Sequence, residues 1–201
     1  MSFLQYRMFR YVTVFSFFIL FTFGFKSVYA ADNIISPTIS HVSWDSAIYT
    51  VQGYDFRIQE DDNAGGVAYR YQFDSGFLAG VDAYYINAFE FSAVDSSFGG
   101  HGNSTHVIAS GGYTFNHTGQ VQFFVEAGLG YGSISLHSGG GPNAKLNGLD
   151  QQYTLGMNYF FNHRLGLRTA IKRIDFDLDD DAGAKMDGEL DLYSLSLNIR
   201  F

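Results

Sequence analysis

Five aspartates crowd one short stretch, Asp175, Asp177, Asp179, Asp180 and Asp181, and carboxylates at alternate positions are how a calcium-binding loop opens. The match ends there. Asp180 stands where such a loop needs glycine for its sharp turn, and Met186 stands where it needs a bidentate glutamate. Asp175, Asp177 and Asp179 remain the candidates for divalent cations shared with a charged surface, and a solvated acidic loop is the plainer reading. His101, His106 and His137 have the right chemistry for a transition metal, but no two histidines sit two apart, the spacing that puts ligands on one face of a strand. Beside Ser104, Ser110 or Ser135 the same histidines supply the residue types of a nucleophile and its base; no Gly-x-Ser-x-Gly elbow accompanies them. The run Ser138-Gly139-Gly140-Gly141-Pro142-Asn143 lacks the Gly-Lys-Ser/Thr ending of a phosphate loop. These constellations are all incomplete, so the sequence is read as that of a non-enzyme with no cofactor, no catalytic residues and no resident metal.

What such residues would be mounted on is clearer. From Val121 to Tyr131 the odd positions are Val, Phe, Val, Ala, Leu and Tyr, and the even ones are Gln122, Phe124, Glu126, Gly128 and Gly130. Period-two alternation of this kind is a strand with one apolar and one polar or small face. It recurs at 67–73, 153–161 and 193–201, more weakly at 77–87, 105–115 and 165–174, and ambiguously at 49–58, which makes about eight strands. Three connections are short and carry turn residues: Asp74-Ser75-Gly76, Asn116-His117-Thr118-Gly119 and Asn162-His163-Arg164. Between them lie long stretches, 88–104, 132–150 and 175–189, read as loops, and a brief one at 59–65. Strands of nine to eleven residues, joined alternately by tight turns and long loops, form a transmembrane barrel. Aromatic residues flank the tight turns (Tyr71, Phe73, Phe77, Tyr113, Phe115, Phe123, Tyr159 and Phe161), and Tyr85, Tyr131 and Tyr153 mark the opposite strand ends, as two interfacial girdles would.

The chain's beginning and its charge agree with that location. Arg7 and Arg10 precede an apolar run ending at Phe25, and Val28 and Ala30 are small residues suited to signal peptidase, so cleavage is expected between Ala30 and Ala31. Residues 1–30 are then a cleaved signal peptide, 31–45 a periplasmic lead-in and 46–201 the barrel. Removing thirty of 201 residues leaves 171, one domain; the net charge moves from −8 to −11, because Arg7, Arg10 and Lys26 go and no acid does. So acidic a chain, with scattered basic residues, is not a nucleic-acid binder. It contains no cysteine, which excludes disulfides, thiolate metal sites and a lipoprotein anchor.

Arg70, Asp82, Glu126, Arg168, Lys172 and Arg200 all fall on the polar face of their strands. A charge facing lipid at mid-depth costs about 2–4 kcal/mol for Arg or Lys, so these six are assigned to a lumen that an eight-stranded barrel fills with its own side chains. Arg173 has the opposite parity and is expected at the external interface, in reach of lipid phosphate.

The chain resembles the small outer-membrane barrels of the OmpA-transmembrane-domain and OmpX/Ail type over nearly its whole expected mature length. Its end, Ser194-Leu195-Ser196-Leu197-Asn198-Ile199-Arg200-Phe201, is similar to the C-terminal signal read by the barrel assembly machinery: polar Ser194, Ser196 in the place of glycine, and hydrophobic Ile199 and Phe201. Gly112-Tyr113-Thr114-Phe115 before a turn is also typical of those barrels. The resemblance implies an all-β, eight-stranded antiparallel up-and-down transmembrane β-barrel in the outer membrane. Its partners would be lipid and lipopolysaccharide, periplasmic chaperones and the assembly machinery, and host or surface ligands held by external loops. Envelope structure, adhesion and resistance to host factors are the functions such barrels serve. A lipid A deacylase or acyltransferase, or a narrow channel, stays open as the alternative.

Overall fold

Backbone amides and carbonyls can sit in hydrocarbon only when all are paired, and strands achieve that by closing on themselves. The computed structural model describes residues 30–51, 54–58, 61–93, 99–138, 144–180 and 185–201. They form β1 (Ala30–Val51), β2 (Tyr54–Ile58), β3 (Asp62–Phe73), β4 (Phe77–Ala93), β5 (Gly99–Phe115), β6 (Val121–Ser138), β7 (Ala144–Phe160), β8 (Leu165–Asp179) and β9 (Lys185–Arg200). Every pairing is antiparallel, and β9 returns to β1, so β1 and β3–β9 make a closed ring of eight. The short β2 folds back on β1 and also reaches β4 at the end away from the tight turns. Among the described residues no helix is long and apolar enough to cross a membrane.

The eight strands are not quite the eight expected. Residues 49–58, read as one strand, are instead the end of β1 and the short β2, whose partners are Tyr49↔Phe56 and Val51↔Tyr54. Residues 31–45, read as a lead-in outside the barrel, lie in β1, which pairs with both β3 and β9. Pro37 has no N–H to give a ladder and Ile34-Ile35 breaks the alternation, which hid this strand. Residues 1–29, all but the last position of the expected leader, lie outside the described residues; Ala30 opens β1 opposite Phe73.

The stretches read as long loops are largely strand as well. Residues 88–93 and 99–104, 132–138 and 144–150, and 175–179 and 185–189 continue the hairpins. The reason lies in a reversal of polarity along each strand. On β6 the outward residues Val121, Phe123, Val125 and Tyr131 are exposed and apolar and Leu129 is half-buried, whereas Gln122, Glu126 and Gly128 face in. Past Tyr131 the alternation keeps its phase and swaps its chemistry. Ile134 and Leu136 are now buried inside, and Ser133, Ser135 and His137 face out. The same swap occurs on β8, where Ile174, Phe176 and Leu178 point inward between Arg173, Asp175, Asp177 and Asp179, and on β9, where Met186, Leu190 and Leu192 point inward between Asp187, Glu189 and Asp191.

Length agrees with this division. The run from Val121 to Tyr131 is about 33 Å long and, tilted by about 45°, about 23 Å tall, close to the apolar band of a membrane barrel. All 18 residues of β6 span about 40 Å of height on the same basis, so about 15 Å of barrel stands clear of the hydrocarbon. That upper part is built like a water-soluble barrel, polar outside and packed with Val42, Ile86, Phe89, Ile134, Leu146, Ile174, Leu178, Met186 and Leu190 inside.

Candidate functional site

Small residues and glycines on the inward face leave room for a few long ones. A Cβ on Gly80 would lie 2.5 Å from Cδ of Arg70, and one on Gly112 would lie 2.8 Å from Cγ of Glu126. The space they vacate holds a continuous polar chain across the lumen. Glu126 of β6 accepts from Arg70 Nε at 3.0 Å, from Arg70 Nη2 at 2.7 Å and from Arg168 Nη2 at 2.9 Å. Arg70 also donates to Asp82, whose other oxygen accepts from Lys172 Nζ at 3.0 Å. Lys172 donates in turn to the Tyr84 hydroxyl at 2.6 Å, and Tyr84 donates to Gln152 Oε1 at 3.0 Å. Every member is buried. Phe124 completes the packing, with the Arg168 guanidinium 3.6 Å from its ring centre. Two acids against three bases leave one formal positive charge, and each acid touches two cations.

Five of the six charges assigned to the lumen thus meet there. Arg200 does not join them. It sits near the tight-turn end, partly exposed, with Nε 3.2 Å from Asp32 and its guanidinium 3.8 Å from the Phe160 ring centre. Gln152 has the inward parity that assigns it to the lumen from the sequence, whereas Tyr84 and Asp150 stand out only once the register of β4 and β7 is known.

The terminal residues read as an assembly signal occupy the seam where the ring closes. Ser194 and Ser196 face inward and bond to Ser40 at 2.7 Å and Thr38 at 2.8 Å, while Ser36 donates to Asn198 at 2.7 Å. Short hydroxyl side chains let β1 and β9 meet with their polar groups paired to each other. Ile199 and Phe201 point outward into the apolar band, and Asn33 and Phe201 exchange both backbone hydrogen bonds.

Above the ionic chain lies a constellation with the connectivity of a hydrolytic triad. His106 Nδ1 is 2.8 Å from Asp150 Oδ2, and His106 Nε2 is 3.1 Å from Ser104 Oγ. Gly132 makes room, since a Cβ there would lie 2.6 Å from Asp150 Oδ1. The chemistry of a nucleophile, its base and an orienting acid is present, but a substrate carbonyl must reach the hydroxyl. All three side chains have zero exposure, enclosed within the barrel beside Tyr84, Ile86, Ile108 and Ile134.

On the outer wall, Asp175, Asp177 and Asp179 lie on the β8 face opposite Glu189, Asp187 and Lys185 of β9, in a strand rather than a solvated loop. Among the described residues no group of three or more His, Asp and Glu gathers closely enough to hold a metal ion. Arg173 faces out as expected but engages Asp191 through both Nε and Nη2 at 2.9 Å, so its fork is already occupied by a carboxylate. The girdle at the tight turns is a set of edge-to-face pairs: Tyr71 with Phe73, Phe77 with Tyr113, Tyr113 with Phe115, and Tyr159 with Phe161.

A closed ring of eight strands, an apolar outer band, aromatic girdles and an ionic lumen define a small transmembrane β-barrel, and its fold is that of known outer-membrane proteins. Neisserial surface protein A superposes with a TM-score of 0.61 at 12% identity, over 88% of this chain and 100% of that one. OprG from Pseudomonas aeruginosa gives 0.60 at 15% identity over 86% and 97%, and Ail of Yersinia pestis, crystallised with the heparin analogue sucrose octasulfate, gives 0.51 at 18% over 85% and 99%. No protein-family model matches the chain, and no curated protein matches it.

Proposed function

We propose that this chain is an integral outer-membrane protein whose sealed barrel holds a strand-built surface outside the cell, serving envelope structure or surface interaction and neither catalysis nor conduction. The reversal of polarity carries this reading. Among the described residues an apolar collar above the ionic chain closes the lumen to water, with Asp82, Ile108, Ile134, Leu178 and Leu190 wholly inaccessible. The same reversal makes the projecting wall polar and water-facing, so the presented surface lies on the strands themselves. Position in the outer membrane is supported by the fold's neighbours, which are outer-membrane and surface proteins of Gram-negative bacteria. The wall near β8 and β9, with Asp175, Asp177, Asp187, Glu189 and Asp191, is acidic and repels polyanions; cationic groups are the complementary partners.

One observation favours the rival enzymatic reading, the bonded set Ser104, His106 and Asp150. Its burial argues for a structural role, in which His106 satisfies two polar groups inside the collar. Cells with and without the gene separate the two. Lipid A of unchanged mass, together with altered adhesion or altered sensitivity to host serum, is the expected outcome. A change in acyl-chain number that disappears in Ser104→Ala would establish the enzyme instead.

A further inference from the structure

The outward face of the projecting wall brings together two histidines that are 36 positions apart in the chain. His101 of β5 and His137 of β6 are directly opposed partners, and their rings stack with centroids 5.4 Å apart and planes 8° from parallel. Glu90 of β4 is the partner of His101 on its other side, so Glu90, His101 and His137 form one row across three strands. Both histidines point away from the lumen, as their inward neighbours Gly102 and Leu136 show. Nδ1 of His137 is shielded from solvent and has no hydrogen-bond partner, an imidazole nitrogen with a lone pair or proton left unmatched.

We infer that His101 and His137 form a two-histidine surface site for a borderline-soft divalent cation such as Zn2+, Cu2+ or Ni2+, with water filling the remaining positions. Directly opposed residues of an antiparallel pair hold their Cβ atoms about 4.5–5.5 Å apart, which lets two imidazoles turn onto one ion at about 2.0–2.1 Å. The rings stack in the absence of the ion, and small rotations about the side-chain bonds convert stacking into chelation. Imidazole nitrogens select these metals over Ca2+ and Mg2+, which need several oxygen ligands. A bound ion would clip β5 to β6 at the projecting end. Sequence spacing hid the site because its ligands come from different strands, and only the register β5 to β6 joins them. The site is independent of the proposed function, and its test needs only the folded barrel.

The experiment is calorimetric titration of the untagged protein in detergent micelles with Zn2+ and, separately, with Ca2+. One Zn2+ per chain and no Ca2+ binding are expected. His101→Ala and His137→Ala should each weaken Zn2+ by at least about tenfold, while His41→Ala, at an exposed histidine elsewhere on the wall, leaves it unchanged. Loss of heat-modifiable migration on a gel identifies a variant that has failed to fold, in which case the Cu2+ spectrum of the unmodified protein decides, two equatorial nitrogens being the expected signature. Absence of Zn2+ binding, affinity indifferent to both histidine changes, or a Cu2+ spectrum without nitrogen ligands would overturn the site.

Discussion

Glu126 is the residue on which the lumen turns, because two guanidiniums donate to it and its carboxylate is buried away from solvent. A buried ion pair is not by itself a large source of stability, since both partners lose their hydration. Removing one partner is a different matter. Glu126→Ala leaves Arg70 with Asp82 as its one acid, leaves Arg168 without its acid, and should cost about 3–5 kcal/mol in urea unfolding of the barrel in lipid vesicles. The inward position of these charges could be read from the parity of single strands. Which charge meets which could not, because the contacts join β3, β4, β6 and β8 across the lumen and depend on register. Arg200 shows the limit of parity: it has the expected phase but lies at the tight-turn end, too far along the axis to share Glu126.

At the scale of the strand, period-two alternation was legible wherever greasy residues faced out, and became illegible where they turned in. Asp175, Asp177 and Asp179 looked like a loop or a calcium motif because charge at alternate positions was weighed without Phe176 and Leu178 between them. Taken together, the five residues are a strand whose apolar face points into the barrel. The rule that outward means apolar holds only within the hydrocarbon, and the upper halves of the hairpins are solvated on the outside. Phe89 tests this at the level of one element. It is almost wholly buried in the collar, with its ring 4.9 Å from that of Trp44 on β1. Phe89→Ala should therefore destabilise the barrel by about 3–5 kcal/mol, the cost of a large core deletion, in the same unfolding assay. A residue in a mobile external loop would change it by less than about 0.5 kcal/mol.

For the molecule as a whole, two solvents meet one continuous sheet. In the lower part lipid selects an apolar exterior, and the freed interior takes ions, amides and hydroxyls. In the upper part water selects a polar exterior, and the interior becomes an ordinary hydrophobic core. The count of eight strands came out of the sequence, although one of the expected eight dissolved into β1 and β2 while the first true strand went unseen. Closure itself is visible only in three dimensions, in the seam where Ser36, Thr38 and Ser40 meet Asn198, Ser196 and Ser194.

A cysteine scan along β6 measures that division directly, and a chain with no cysteine of its own makes it clean. Single substitutions from Val121 to His137 would be probed in vesicles with a bilayer-confined quencher and a water-soluble maleimide. The expected result is quenching at 123, 125 and 129, maleimide reaction at 133, 135 and 137, and protection from both at 126, 134 and 136. Reaction of positions 134 and 136 with the aqueous reagent, or quenching at 133 and 135 by the lipid probe, would contradict a barrel whose faces exchange polarity above Tyr131.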